Sequence, residues 1–180
     1  MILNLPNALA LLRVLLAPLM FIFLVQRDWF IGIHPSWLDY YAALIFVLAS
    51  ATDFFDGFIA RRWNQMTKMG AILDPLADKM LTLAAFLGLM LIDRANVWAI
   101  YLILTREFFI TGLRVMAVGE GRNIAASMAG KVKTVFQMIA IGFLIMDWHF
   151  GTLLLWIAVG ITLYSGWEYV RGYTKSELRA

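Results

Sequence analysis

Asp53, Asp56, Asp74 and Asp78 put four carboxylates into a sequence that is otherwise apolar enough for a bilayer. They lie in the run DFFDGFIARRWNQMTKMGAILDPLAD. A helix over its first half places Asp53, Asp56, Gly57, Ala60 and Arg61 at i, i+3, i+4, i+7 and i+8, so two acids, two small residues and a cation share one face. In the second half Gly70, Asp74 and Asp78 repeat at i, i+4, i+8. Two such helices joined by a short turn point all four acids at one another. Ionised carboxylates side by side in a low-dielectric setting repel by several kcal/mol per contact at an effective dielectric of about 20, so something positive must sit among them. Oxygen ligands in a chain with no Cys call for a hard divalent ion, Mg²⁺ first, with Mn²⁺ or Ca²⁺ as substitutes. Mg²⁺ held by a few carboxylates completes its shell with water and substrate phosphates, which points to a substrate carrying a diphosphate.

A second set of charges lies further along, in LTREFFITGLRVMAVGEGR. Arg106 falls about ten residues, roughly 15 Å, below the outer end of its apolar stretch, where a cation must face protein or water. Arg114 follows two turns later on a broadly similar face. In SMAGKVKT, Lys131 and Lys133 stand about 200° apart on a helix, so at most one points where the arginines point, and Lys131 is the choice. Cations this deep suggest a pocket for a second, separately anionic substrate. Plainer readings stand beside these. Glu107 can neutralise Arg106, Asp56–Arg61 and Asp74–Lys79 can be ordinary pairs, and Gly57 and Ala60 can be small-residue helix packing. Against the first kind stands the cost of burying four acids for stability alone. Glu168 reads as a helix-end or pairing residue, His34 and His149 as solvated loop residues, and Gly119-Glu120-Gly121 as a turn.

The elements that must position these groups are membrane helices. Of 180 residues 62% are hydrophobic and 15% charged, against roughly 25% charged in soluble domains, and the mean hydropathy is +0.78. The expected fold is an all-α integral membrane protein with six spans, at about 8–26, 40–61, 71–92, 96–118, 129–147 and 151–171, forming a single transmembrane catalytic domain over 1–180. No small-residue cleavage site follows the first span, so it is kept rather than read as a signal peptide, and Pro18 should bend it. The net charge of +3 comes from dispersed cations, which suits anionic headgroups and not nucleic acid. Alternating crossings leave only Arg27 and Arg94 on one side of the membrane and all other Lys and Arg on or toward the other. By the positive-inside rule both termini and the four acids then face the cytoplasm. Trp29, Trp37, Tyr40, Tyr41, Trp98, Tyr101 and Trp148 form the outer aromatic belt, with Trp63, Trp167 and Tyr169 inside.

The pattern D-x2-D-G-x2-A-R-x8-G-x3-D-x3-D, met here at Asp53, Asp56, Gly57, Ala60, Arg61, Gly70, Asp74 and Asp78, resembles the full signature of the CDP-alcohol phosphatidyltransferases. The segments NLPNALALLRVLLAP, TREFFITGLR and GKVKT extend the resemblance to the bacterial phosphatidylglycerophosphate synthase branch of that family. The resemblance implies six transmembrane helices, a homodimer in the cell membrane, a pair of metal ions facing the cytoplasm, and transfer of a phosphatidyl group from CDP-diacylglycerol to an alcohol with release of CMP. Carried over by position, Asp53, Asp56 and Asp74 hold the metals, and Asp78 contacts the second metal and acts as general base. Gly57, Arg61 and Thr67 contact the cytidine diphosphate, Ala60 and Gly70 line its slot, and Asn7 approaches from the side. In the branch resembled, Arg106, Arg114 and Lys131, with Lys133, take the phosphate of sn-glycerol 3-phosphate. Serine, inositol, inositol phosphate or a second phosphatidylglycerol remain as alternative acceptors. A divalent-cation transporter using midplane carboxylates is the rival of another class.

Overall fold

The computed structural model describes residues 5–62, 70–119 and 128–177, with side chains over 7–52, 76–119 and 128–174. These residues form α1 (Leu5–Val25), α2 (Pro35–Arg62), α3 (Gly70–Leu91), α4 (Val97–Gly119), α5 (Met128–Ile145) and α6 (Gly151–Glu177), with one 3-10 turn at Arg27–Trp29 and no strand among them. Each expected span falls on one helix. α2 begins five residues before the expected span because Pro35, with no N–H to satisfy and a helical φ, opens the helix ahead of the apolar run. α1 continues through Pro18. Asn7–Val25, Met128–Ile145 and Gly151–Thr174 are long and apolar enough to cross a membrane by composition alone. α4 falls short of that measure because Arg106, Glu107 and Arg114 interrupt it, and these are the groups that could do chemistry.

The chain divides into two compact units, Met1–Arg94 with Leu144–Trp148, and Ala95–Phe143 with His149–Ala180. In the first, α1 packs on both α2 and α3 through one stripe, Asn7, Ala10, Arg13, Ala17, Met20 and Leu24, spaced by three and four residues. Leu11, Leu12, Leu15 and Leu19 point away and stay exposed. Lipid tails are as apolar as leucine, so burying leucine gains little between membrane helices. Close backbone approach must do the holding. Small residues recur among the buried positions, Ala42 and Ala49 on α2 and Ala77 and Ala85 on α3, between the larger Leu38, Phe46, Leu81, Phe86 and Leu89. A Cβ at Gly88 on α3 would come within 3.0 Å of Leu24 Cδ1 and 3.4 Å of Phe21, both on α1.

One end of this unit is closed by charge. Asp39, at the start of α2, accepts from Arg27 Nη2 through Oδ1 at 2.5 Å and from Arg94 Nη2 through Oδ2 at 2.8 Å. Arg94 Nη1 also donates to the Ile145 carbonyl at 2.6 Å, and Arg27 Nε to the Leu24 carbonyl at 3.1 Å. One buried carboxylate thus stitches the ends of α1, α3 and α5 to the start of α2. Arg27 and Arg94 are the two cations that charge counting left alone on the outer side. Asp93 and Asp147 take left-handed φ of 57° and 55° where α3 and α5 end, a conformation that aspartate tolerates better than most residues.

In the second unit α4 packs on α6. Ala158, Thr162, Ser165, Tyr169 and Tyr173 form the buried stripe of α6, and Gln137 Nε2 of α5 donates to Thr162 Oγ1 at 2.9 Å. Trp29, Trp37, Tyr40, Tyr41, Trp98, Tyr101, Trp148 and Trp167 are exposed, as belt residues should be. Tyr169 is not: at 6% exposure it belongs to the α6 stripe, because it stands one turn from Ser165 on the same face. His34 and His149 are exposed.

Candidate active site

The backbone is helical from Asp53 through Arg61 on α2 and from Gly70 through Asp78 on α3, and α2 and α3 pack on one another. Helical geometry therefore holds over both halves of the acidic motif. The side chains of Asp53, Asp56, Gly57, Ala60, Arg61, Gly70 and Asp74, and all of Thr67, lie outside the described residues. Asp78 is described and is half-buried, so it is both desolvated in part and reachable. Thr82 Oγ1 donates to the Asp78 and Lys79 carbonyls at 2.9 and 3.2 Å, which secures the helix one turn on. Among the described residues no three His, Cys, Asp or Glu side chains gather to hold an ion. The donor set on the two helices is carboxylate oxygen throughout, which fits a hard divalent ion and no thiolate-seeking metal.

Charge counting treated Arg13 as one more cation near the cytoplasmic end, whereas it is the largest fully buried side chain among the described residues, at 0% exposure. A buried guanidinium needs anionic or carbonyl company. α1 and α3, separated by one reversing helix, run the same way, and Gly88 meets Phe21 and Leu24. Ten residues earlier on each helix, parallel axes would bring the Asp78 turn level with residues 11–14 of α1, of which Arg13 is the buried one. Asn7, predicted to approach the nucleotide, lies on the same α1 stripe at 2% exposure. Periodicity was the available signal, since Arg13 repeats with Asn7, Ala10 and Ala17 rather than with the exposed leucines.

The predicted acceptor cations lie on α4 and α5. Arg106 Nη1 donates to Glu107 Oε1 at 3.1 Å, Lys133 Nζ meets the same oxygen, and Arg106 Nη2 donates to Ser165 Oγ at 2.8 Å. Glu107 therefore does neutralise Arg106, but it is shared. The lysine that faces Arg106 is Lys133, 8% exposed, and not Lys131, which is exposed; the helical phase of α5 turns residue 133 inward with Gln137 and Ala140. The Arg114 guanidinium lies 5.8 Å from the centre of the Tyr169 ring, within cation–π reach. Arg106 and Lys133 thus meet one carboxylate, whereas Arg114 is exposed and lies against Tyr169, and Glu168 stays exposed. Two cations about 5 Å apart at an effective dielectric of about 20 would repel by about 3 kcal/mol without that carboxylate. Arg106 keeps its buried Nε–H without an acceptor among the described residues, which is an invitation to an anion.

Arg106 also forms part of the wall of an apolar groove of about 270 Å³ between α4 and α6, with Phe109, Leu163 and Trp167. Gly166 is its floor. A Cβ there would sit 3.1 Å from Arg106 Cγ and 3.2 Å from Nε, so this glycine clears the path along which the arginine reaches Ser165. Sequence reading singled out neither Ser165 nor Gly166, because nothing in the local pattern distinguishes them from ordinary small residues of a membrane helix.

Comparison with known proteins bears on both charge sets. The profile of the CDP-alcohol phosphatidyltransferase family matches residues 3–164. A Bacillus subtilis (strain 168) protein named CDP-diacylglycerol--glycerol-3-phosphate 3-phosphatidyltransferase is 42% identical over 179 residues, covering 92% of this chain and 93% of its own. Proteins of the same name from Escherichia coli (strain K12) and Cereibacter sphaeroides are 38% and 32% identical, with 93% of this chain covered in each case and 93% and 94% of theirs. With the acidic motif intact on two packed helices and the match running nearly end to end, this chain belongs to the CDP-alcohol phosphatidyltransferase family.

Proposed function

We propose that the protein transfers a phosphatidyl group from CDP-diacylglycerol to sn-glycerol 3-phosphate, releasing CMP, as a step of phospholipid synthesis. The observation that carries this reading is that relatives similar over more than nine-tenths of both chains bear that activity in their names. The cation pair Arg106 and Lys133 supports the choice of acceptor, since a guanidinium with a buried, unsatisfied Nε–H beside an ammonium suits a phosphate monoester and not serine or inositol. We read the protein as a multi-pass protein of the cell (cytoplasmic) membrane with its acids facing the cytoplasm, on the distribution of Lys and Arg.

Asp53, Asp56, Asp74 and Asp78 are the residues that would hold divalent cations, Mg²⁺ by preference, and those cations when bound supply charge neutralisation along the diphosphate and on departing CMP. The protein's own groups do the rest. Gly57, Ala60, Arg61, Thr67, Gly70 and Asn7 seat the cytidine diphosphate, while the acyl tails stay in the bilayer. Arg106, Arg114 and Lys133, with Lys131 at the surface, hold the acceptor by its phosphate. Asp78 takes the proton from the acceptor's 1-hydroxyl as that oxygen attacks the β-phosphorus, and the bond to the CMP oxygen breaks.

The direct test incubates detergent-purified protein with CDP-diacylglycerol, Mg²⁺ and labelled glycerol 3-phosphate, serine, inositol or inositol phosphate. Lipid product and CMP are expected in equal amounts with glycerol 3-phosphate alone; a better yield with any other alcohol overturns the acceptor. Arg114→Ala should raise KM for glycerol 3-phosphate by about 10–100-fold, the worth of a charged hydrogen bond, and leave KM for CDP-diacylglycerol within a factor of about two. Equal rises in both would argue against a separate acceptor pocket. Gly166→Ala should act in the same direction by about 3–10-fold, because its methyl forces Arg106 aside. Gly160→Ala, on the same helix with open space around the new methyl, is the matched control and should be silent.

A further inference from the structure

We propose that Glu107 is a positioning residue of the acceptor site: its carboxylate ties Arg106 and Lys133 into one anion-binding unit. The inference rests on the reading above that these cations bind the acceptor's phosphate. Four observations carry it.

Arg106 and Lys133 come from different helices, and both end on the same oxygen, Glu107 Oε1. A carboxylate that merely neutralised a neighbour would need one cation. Serving two, it fixes the gap between a guanidinium and an ammonium that would otherwise repel. Arg106 is held from its other side by Ser165 Oγ at 2.8 Å, so its plane is set at two points, as a fork must be to receive an oxyanion in one orientation.

The cluster is also incomplete. Arg106 keeps its Nε–H buried with no acceptor among the described residues, packed against Gly166. Arg114 meets only the face of Tyr169 in the described contacts. A buried donor in the interior of a membrane protein is unfavourable unless an acceptor completes it, and beside a guanidinium that acceptor is best an anion. Without Glu107, Lys133, 8% exposed, would lose the carboxylate that keeps it beside Arg106. The side chain of Glu107 is 23% exposed, so it sits at the edge of the cluster, where it can hold the cations without filling the place the phosphate takes.

The test is steady-state kinetics on the full-length protein in detergent, with KM for glycerol 3-phosphate, KM for CDP-diacylglycerol, and inhibition by inorganic phosphate as a probe that carries no hydroxyl to react. Glu107→Gln should raise KM for glycerol 3-phosphate and Ki for phosphate together by about 10–100-fold, with KM for CDP-diacylglycerol within about twofold. Glu107→Asp, which keeps the charge and loses one methylene of reach, should fall between Gln and the native residue. A rise in KM for both substrates alike, or a loss of thermal stability with unchanged KM, would mean a structural role only and overturn the proposal. Should Glu107→Gln not fold, the charge-balanced pair Glu107→Gln with Lys133→Gln restores folding, and its KM for glycerol 3-phosphate should stay high; a native KM in that pair also overturns it. Arg114→Ala separates the two levels. If Arg114→Ala raises the acceptor KM and Glu107→Gln does not, the positioning role fails alone; if neither does, the acceptor pocket itself is misassigned.

Discussion

Asp78→Asn is expected to lower turnover by about 10²–10⁴-fold, the range spanned by general-base catalysis, while the protein still folds and still binds CDP-diacylglycerol. Asparagine keeps the shape and one acceptor oxygen of aspartate but cannot take up a proton. The position suits the substitution, since Asp78 is half-buried on α3, one turn before Thr82 caps its carbonyl, and the amide adds no bulk. The informative comparison is among three readouts: kcat, equilibrium binding of the liponucleotide, and Mn²⁺ stoichiometry by electron paramagnetic resonance. Loss of kcat with binding and stoichiometry retained places the proton on Asp78. Near-native turnover removes it as the base, and loss of an ion together with turnover makes it a ligand first.

The second large effect lies at the other charged centre of the first unit. Asp39→Ala should destabilise the fold by about 3 kcal/mol, because it leaves Arg27 and Arg94 without the carboxylate that both address. Their side chains are 26% and 16% exposed, so water recovers part of the loss and the upper end of the range for buried pairs does not apply. On the scale of a domain this size that is roughly 6–12 °C in Tm, readable by tryptophan fluorescence in detergent. Asp39→Asn, which can still accept from one arginine, should cost less. Neither should change KM for either substrate in the protein that remains folded. An unchanged Tm for the alanine variant would show that the network is ornamental and that the helix ends are held by packing alone.

The outcome for Lys131 and Lys133 shows where reading a sequence stops. Their separation of about 200° on a helix followed from spacing, and the structure has one lysine exposed and the other buried, as that separation demands. Which one turns inward depends on the phase of α5 about its axis, set by Gln137 reaching Thr162 and by Ala140 against its neighbours, contacts between residues far apart in the chain. Tyr169 shows the same thing. An aromatic near a helix end reads as belt, and only the face it shares with Ser165 makes it interior.

By itself the sequence determined that this is a chain of six apolar helices, that four carboxylates recur with helical spacing on two of them, and that the eight motif positions are those of a phosphatidyl-transferring family. Each of these is a one-dimensional property, a period or an interval, and a helix converts intervals into faces without help from the rest of the fold. The tertiary structure decided which cation is sequestered and with whom: Arg13 inside the α1 stripe, Lys133 and Arg106 on one oxygen of Glu107, and Arg27 and Arg94 on Asp39. In the low dielectric of a membrane protein a charge must find its partner in space, and that partner can stand 55 residues away, as Asp39 does from Arg94, where no local pattern reaches.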